Sequence, residues 1–157
     1  MKILIVEDDQ YKSEAISEFL ITEFRSPEIV IKDSLASGIF EVLDNGEFDI
    51  ILLDMSMPSF DVTSKDPSGG TPESYAGEDF LSQMTVLGVN IPIVVVTQYD
   101  NFGTDDSQMS LTALDKKLRH NHSEIYEGSV YFKSSSISWK KELKGIITGI
   151  INANTNS

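Results

Sequence analysis

Five short apolar runs alternate along the chain with stretches that carry apolar residues at helical spacing. The runs cover residues 3–6, 29–31, 50–53, 93–96 and 130–132. This alternation is typical of βαβ units, in which parallel strands form a central sheet with helices on both faces. Two of the runs, ILLD and IVVVT, are apolar almost throughout, as expected of strands that are covered on both faces. The pattern therefore predicts an α/β fold with a doubly wound, five-stranded parallel sheet.

The helical stretches contain candidate helix ends, and the length of the chain indicates one domain. Ser34 is a candidate N-cap for the second helix and Gly46 a candidate terminator, while Trp139 and the leucine and isoleucines that follow it make the last helix strongly amphipathic. A chain of 157 residues, 40% of them apolar, can close one core. We therefore predict a single domain over 1–152 and a disordered tail over 153–157, with no room for a fused output domain.

Two connections exceed the usual 2 to 6 residues for this class of fold by a wide margin. The first, between the third strand and the third helix, covers 56–76 and is rich in Pro, Gly and Ser, which indicates a loop with an insertion at 59–76. The second starts at Gln98 and leads into a fourth helix that we expect to extend to His122. The insertion could govern the docking of a partner protein or the access of water to this edge of the sheet, or it could be a tolerated surface loop.

Composition excludes several classes of function. The chain has no cysteine, which rules out disulfides, thiolate zinc sites and cysteine nucleophiles. A net charge of -13 argues against binding of nucleic acid, and no apolar stretch is long enough for a membrane span or a signal peptide, so we expect a cytoplasmic protein. Seven of the 12 basic residues fall within 116–157. They could form the solvated faces of two helices or a docking face for an acidic partner.

Charged and hydroxyl side chains follow the predicted strands. They are Glu7, Asp8 and Asp9 after the first strand, Asp54 after the third, Thr97 after the fourth and Lys133 after the fifth. In open parallel sheets the ligand crevice lies at these carboxyl ends. Carboxylates gathered there repel each other unless a cation lies among them, and an all-oxygen ligand set favours Mg²⁺.

These motifs resemble the receiver domain of two-component response regulators. The strings ILIVEDD, ILLDMSMP, VVVT and VYFK occur in the family's order and span nearly the whole chain. The resemblance implies a flavodoxin-like fold with strand order 2-1-3-4-5, in a single-domain regulator. It also implies an acidic pair at Glu7 and Asp8, with Asp8 a direct Mg²⁺ ligand and Glu7 acting through water. Asp54 and the backbone carbonyl of Ser56 would complete the metal site.

By the same resemblance, Asp54 is the phosphoacceptor. Thr97 matches the hydroxyl that binds a phosphoryl oxygen, and Lys133 matches the ammonium that pairs with the phosphate and with Asp54. The phosphoryl group would come from a histidine kinase or a histidine phosphotransfer protein, and slow self-dephosphorylation would remove it. The signal would pass to a downstream target protein through the face formed by the fourth helix, the fifth strand and the fifth helix, with a homodimer as a further possibility.

The sequence departs from the family at three places. Ser134 follows Lys133 where the family usually has proline, and Val130 stands where the family often has a Tyr or Phe that moves on activation. This leaves open whether the usual switch between Thr97 and an aromatic side chain operates. The glycine that the family places soon after the Met57-Pro58 pair corresponds to Gly77, beyond the insertion.

Three alternative functions are open to a chain of this kind. A receiver-like module could bind partners without phosphorylation, but the acids and the lysine that converge on one crevice argue against a purely structural scaffold. A phosphatase with Asp54 as nucleophile would need a second acid where Ser56 stands. A flavin-binding domain would need a glycine- or hydroxyl-rich phosphate loop. His120 and His122 have no companions at metal-ligand spacing, and we expect both on the surface.

Overall fold

The computed structural model describes residues 1–57, 76–102 and 109–155. Its main sheet has five parallel strands, and a separate pair of two-residue strands lies in the connection after the fourth. In chain order the strands are β1 (Lys2–Val6), β2 (Glu28–Lys32), β3 (Ile50–Leu53), β4 (Ile93–Thr97), β5 (Asn101–Phe102), β6 (Met109–Ser110) and β7 (Tyr126–Tyr131). The spatial order is β2-β1-β3-β4-β7, and since β7 is the fifth strand of the sheet, the predicted order 2-1-3-4-5 is confirmed.

In the described residues, four helices connect the strands of the main sheet and a fifth follows the last strand. They are α1 (Gln10–Glu23), α2 (Leu35–Asn45), α3 (Ala76–Val86), α4 (Leu111–Asn121) and α5 (Ser138–Thr155). The predicted ends of α2 are confirmed: Ser34 and Ser37 form a reciprocal capping box, and Gly46 is the C-cap.

The two faces of the sheet form separate cores because successive side chains of a strand point to opposite faces. On one face, Ile3 and Ile5 of β1 pack with α1 and α5, where the Trp139 ring meets Phe19 with ring centroids 5.5 Å apart. On the other face, Leu4 and Val6 pack with α2, α3 and α4. The helices therefore cover both faces of the parallel sheet, as the apolar strands predicted.

The long connections differ from expectation in detail. The connection after β4 contains the antiparallel β5–β6 pair, and α4 ends at Asn121, one residue before the predicted His122. The insertion predicted over 59–76, between β3 and α3, lies outside the described residues except for Ala76, which begins α3. The helix α5 runs through Thr155, whose hydroxyl donates to the Ile151 carbonyl, so residues 153–155 are helical. Of the predicted disordered tail, 156 and 157 lie outside the described residues.

None of the helices in the described part of the chain is both long and apolar enough to cross a bilayer.

Candidate functional site

Adjacent strands bring the acidic residues together at the carboxyl end of the sheet. Val6 of β1 is paired in register with Leu53 of β3, so the next residues, Glu7 and Asp54, leave neighbouring strands at the same level. The Asp54 amide donates to the Val6 carbonyl at 3.0 Å, which extends the sheet hydrogen bonding to the first residue of the site. The rigid part of the fold therefore sets the position of Asp54.

Three carboxylates form a compact cluster in this crevice. Oxygen atoms of Glu7, Asp8 and Asp54 all lie within 4.8 Å of one another. Glu7 and Asp54 are buried, whereas Asp8 is exposed. This all-oxygen set, open to solvent on the Asp8 side, fits a hard divalent cation that keeps part of its water shell. The three acids predicted as side-chain ligands are thus close enough to share one ion.

Burial perturbs the ionisation of two of these acids. Loss of hydration is the largest influence on Glu7 and raises its pKa to about 8, against the opposing effect of the Lys12 ammonium. Partial burial likewise raises the pKa of Asp8, and the neighbouring Asp54 carboxylate adds to this shift. Burial is the main cause of both shifts, and repulsion from the Asp54 carboxylate adds to each of them, so a cation bound among these acids would favour their charged forms.

Lys12 of α1 reaches into the middle of this acidic cluster. Its side chain is only 1% exposed, and its Nζ lies 2.7 Å from Glu7 Oε2 and 3.2 Å from Asp54 Oδ1. Asp9 caps the helix by accepting from the Lys12 amide at 3.1 Å, and the Asp9 amide donates to Glu7 Oε1. The first turn of α1 is therefore fixed against the end of β1, with the ammonium directed at the acids.

The surroundings of Asp54 distinguish its two carboxylate oxygens. Oδ1 accepts from the Met55 amide at 2.9 Å and lies beside Lys12. Oδ2 accepts no hydrogen bond from the described residues. Gly77 packs directly on this backbone: a Cβ there would lie 2.7 Å from the Asp54 carbonyl oxygen and 2.9 Å from Met55 Cα. The glycine placed after the insertion thus permits α3 to approach the Asp54 strand end.

Thr97 and Lys133 differ in their placement. Thr97 ends β4, which neighbours β3; it is fully buried, and its hydroxyl accepts from the Tyr99 amide at 3.2 Å. Lys133 follows β7, whose Tyr131 pairs with Thr97. Its side chain is exposed, and its ammonium forms no ion pair with the acids of the described ranges. Ser56 is half-buried. The functional roles assigned to these three residues stay predictions.

Position 130 holds a valine, where the family often has a Tyr or Phe that moves on activation. Val130 is fully buried in the core beside α5, and the adjacent Tyr131 is partly exposed on the other side of β7. No peptide bond of the described residues is cis, including the one after Lys133.

Sequence reasoning missed the contribution of Lys12, and it did not identify Asp9 as the N-cap of α1. A signal for Lys12 was present: it precedes Ile16 by four residues and so lies on the apolar stripe of α1, where a lysine is unusual. The expectation that His122 lies on the surface is wrong. It is buried at the end of α4, with Nδ1 3.3 Å from the Thr85 hydroxyl, because the turn into β7 folds this residue back against α3.

Comparison with solved structures places the fold in one class. A response regulator receiver domain protein from Clostridium thermocellum aligns with a TM-score of 0.63 at 19% identity, covering 98% of this chain and 96% of that one. The Mn²⁺-bound form of the response regulator Rcp1 aligns with a TM-score of 0.59 at 20% identity, covering 92% and 90%. The fold is therefore that of receiver domains.

A curated relative establishes the family. The Detocs response regulatory protein DtcB of Enterobacter cloacae is 33% identical over 150 residues, which cover 94% of this chain and 99% of that protein. No family model matches the sequence. The chain belongs to the response-regulator family and consists, over the aligned length, of a receiver domain.

Proposed function

We propose that this response regulator accepts a phosphoryl group on Asp54 from a phosphohistidine of a histidine kinase or histidine phosphotransfer protein. The observation that carries the proposal is the convergence of Glu7, Asp8 and Asp54 within 4.8 Å at the carboxyl ends of β1 and β3. The full-length similarity to a response regulatory protein supports it. A cytoplasmic location accords with a kinase partner of this kind.

The transfer is an in-line displacement at phosphorus. Asp54 Oδ2, which has no hydrogen-bond partner in the described part of the chain, attacks the phosphorus atom while the P–N bond to histidine breaks. The bonding electrons return to the imidazole nitrogen, which takes up a proton from solvent. Asp54 Oδ1 stays oriented by the Met55 amide at 2.9 Å. Later attack of water on phosphorus would release inorganic phosphate and restore the carboxylate, as slow self-dephosphorylation.

Glu7, Asp8 and Asp54, with the Ser56 carbonyl, are the groups that would hold Mg²⁺. Bound there, the ion would neutralise negative charge on the phosphoryl oxygens. The Thr97 hydroxyl, fully buried at the end of β4, accepts from the Tyr99 amide, and its own hydrogen would be donated to a phosphoryl oxygen. Lys133, exposed and without an ion pair to a described acid, is available to approach the phosphoryl group from the solvent side.

The phosphorylated form would then change the affinity for a downstream target through the face formed by α4, β7 and α5. Two contacts connect this face to the elements next to the acidic crevice. Lys117 of α4 forms an ion pair with Glu78 of α3 at 3.1 Å, and the Phe132 amide donates to the Thr97 carbonyl at 2.7 Å. Because Val130 replaces the usual aromatic residue, movement of Thr97 would be transmitted through the backbone of β4 and β7.

The experiment is incubation with acetyl phosphate and Mg²⁺ followed by intact mass measurement. We expect a gain of one phosphoryl group in the wild-type chain, loss of that gain with a chelator, and none in Asp54→Asn. Asp44→Asn, an exposed acid on α2, is the matched control and should be labelled normally. Absence of labelling at every phosphodonor concentration would contradict the proposal and favour a module that signals without phosphorylation.

A further inference from the structure

Lys12 lies in a place that is unfavourable for a lysine in two respects. Its ammonium is buried, although lysine is almost never fully buried unless it is paired. It also lies in the first turn of α1, where the positive end of the helix dipole disfavours a cation. Residues that violate local preferences in this way concentrate at functional sites.

The contacts of Lys12 show what compensates for this cost. Both of its ion-pair partners, Glu7 and Asp54, belong to the acidic cluster, at 2.7 and 3.2 Å. It contacts the same Asp54 oxygen, Oδ1, as the Met55 amide. Lys12 is therefore in direct contact with the carboxylate that the proposed function makes reactive.

We infer that Lys12 is a second cation of the phosphoacceptor site: it stabilises the phosphorylated state of Asp54, and it competes with the divalent ion for the same carboxylates. The inference rests on the proposed function. Phosphorylation replaces the single negative charge of Asp54 by about two on the phosphoryl group, so the crevice gains about one negative charge, and an ammonium held inside the crevice stabilises the product. Before phosphorylation, the same ammonium opposes entry of another cation by like-charge repulsion.

These two effects have opposite signs, which separates the inference from a purely structural role. A residue that only supports the fold of α1 would, when replaced, weaken phosphorylation and Mg²⁺ binding together. Replacement of Lys12 by Met keeps the length and packing of the side chain but removes its charge. We expect Lys12→Met to be phosphorylated about 10²-fold more slowly, as on removal of one transition-state donor. The Mg²⁺ affinity of the variant should rise at least about tenfold, because the ammonium no longer repels the ion.

The experiment measures both quantities on the full chain. Labelling by acetyl phosphate at saturating Mg²⁺ is timed by intact mass, and Mg²⁺ affinity without phosphodonor is measured by isothermal titration calorimetry. The variants are Lys12→Met, Lys12→Arg, Lys133→Met and, as an exposed lysine on α5, Lys141→Met. Lys12→Arg keeps the charge and should retain a larger share of the labelling rate than Lys12→Met. Lys141→Met should match the wild type in both measurements.

The outcomes separate failure of the inference from failure of the proposed function. A wild-type chain that is labelled, with Lys12→Met labelled equally fast or binding Mg²⁺ more weakly, would overturn the inference and leave the function intact. A wild-type chain that is never labelled would overturn the function. If Lys12→Met fails to fold, Lys12→Gln carries the same comparison. Labelling lost in Lys133→Met with Lys12→Met unaffected would assign the phosphate-binding cation to Lys133 instead.

Discussion

Gly77 ties the third helix to the phosphoacceptor strand at the level of single atoms. Its amide donates to the Met55 carbonyl at 3.0 Å, and the space where a Cβ would stand is filled by the Asp54 carbonyl and by Met55. The atoms in the way are largely backbone, which cannot give without displacing Asp54 itself. Gly77 therefore couples α3 to the backbone of Asp54 and Met55 at the edge of the acidic crevice.

Gly77→Ala should accordingly destabilise the protein and disturb the site. We expect a loss of about 1–3 kcal/mol in the free energy of unfolding, as for other overpacked positions, together with slower labelling of Asp54. Gly149→Ala in α5 is the matched control, because no atom lies within 4 Å of the added Cβ. That control should gain about 0.5–1 kcal/mol from helix propensity. Urea denaturation measures both, and equal stabilities for the two variants would refute the close contact.

His122 gives a pH dependence that is independent of the acidic cluster. Burial lowers its pKa below the ordinary 6.5, an effect that Lys117 strengthens and Glu78 opposes. The unfolded chain therefore binds a proton at His122 more readily than the folded chain. The contribution of His122 to stability is present in full above pH 6.5 and is lost as the pH falls through the lowered pKa.

We expect His122→Gln to remove this component of acid sensitivity. Between pH 7 and pH 5, the free energy of unfolding of the variant should fall less steeply than that of the wild type. His120→Gln, which changes an exposed histidine on the same helix, should leave the slope unchanged. Denaturant titrations over this range provide the measurement; parallel curves for wild type and His122→Gln would count against a buried, neutral His122.

At the scale of elements, the start of α1 positions the chemistry of the site. The Asp9 carboxylate caps the helix at the Lys12 amide, and Lys12 in turn contacts Glu7 and Asp54. One hydrogen bond of the cap thus holds the turn that carries the buried ammonium.

Asp9→Ala should weaken α1 and loosen Lys12. Loss of an aspartate cap costs about 0.5–2 kcal/mol, and we expect a matching drop in the free energy of unfolding. Asp9→Asn caps a helix about as well but removes the charge, so it should retain most of the stability. Thermal or urea unfolding of the two variants separates the cap from the electrostatics. Equal losses in both would mean that the Asp9 charge, and not its hydrogen bond, is what matters.

The sequence was most informative about elements where patterns are long and regular. The apolar runs of β1, β3 and β4 and the capping pair Ser34 and Gly46 predicted their elements because burial on both faces and cap chemistry leave direct traces in residue type. The two-residue strands β5 and β6 leave no such trace. Their pairing depends on how the connection after β4 folds back, which local sequence does not encode.

The candidate site was predicted only in part for a related reason. Strand ends identify Glu7, Asp8, Asp54 and Thr97, since parallel order alone brings them to one side of the molecule. Lys12 lies on a helix, and its path into the crevice depends on the packing of α1 against β1. His122 likewise became buried through a turn. Tertiary packing, more than motif spacing, determines where the side chains of Lys12 and His122 lie.

At the scale of the whole molecule, the acidic balance leads us to expect that a divalent cation stabilises the folded protein. The chain carries a net charge of -13, and three of its acids share one crevice. A ligand that binds only the folded state stabilises it by mass action, by about 2.7 kcal/mol at 100 times its dissociation constant. Mg²⁺ should therefore raise the unfolding temperature of the wild-type protein in a concentration-dependent way.

Asp8→Asn should abolish most of this Mg²⁺-dependent stabilisation. Asp8 is the exposed member of the cluster, so the substitution removes a ligand without burying an unpaired group. Asp44→Asn on α2 should respond to Mg²⁺ like the wild type. Differential scanning calorimetry with and without Mg²⁺ makes the comparison. An undiminished shift in Asp8→Asn would place the ion elsewhere on the acidic surface.

Asp54 is the proposed carrier of the phosphoryl group, and locating the modified carboxylate tests this proposal directly. The protein is labelled with acetyl phosphate and Mg²⁺, the acyl phosphate is reduced with borohydride, and the peptides are sequenced by tandem mass spectrometry. We expect homoserine in place of Asp54 and no other reduced acid. Homoserine in place of Asp8, 5-hydroxynorvaline in place of Glu7, or an unmodified Asp54 in a chain that has gained phosphate, would contradict this assignment.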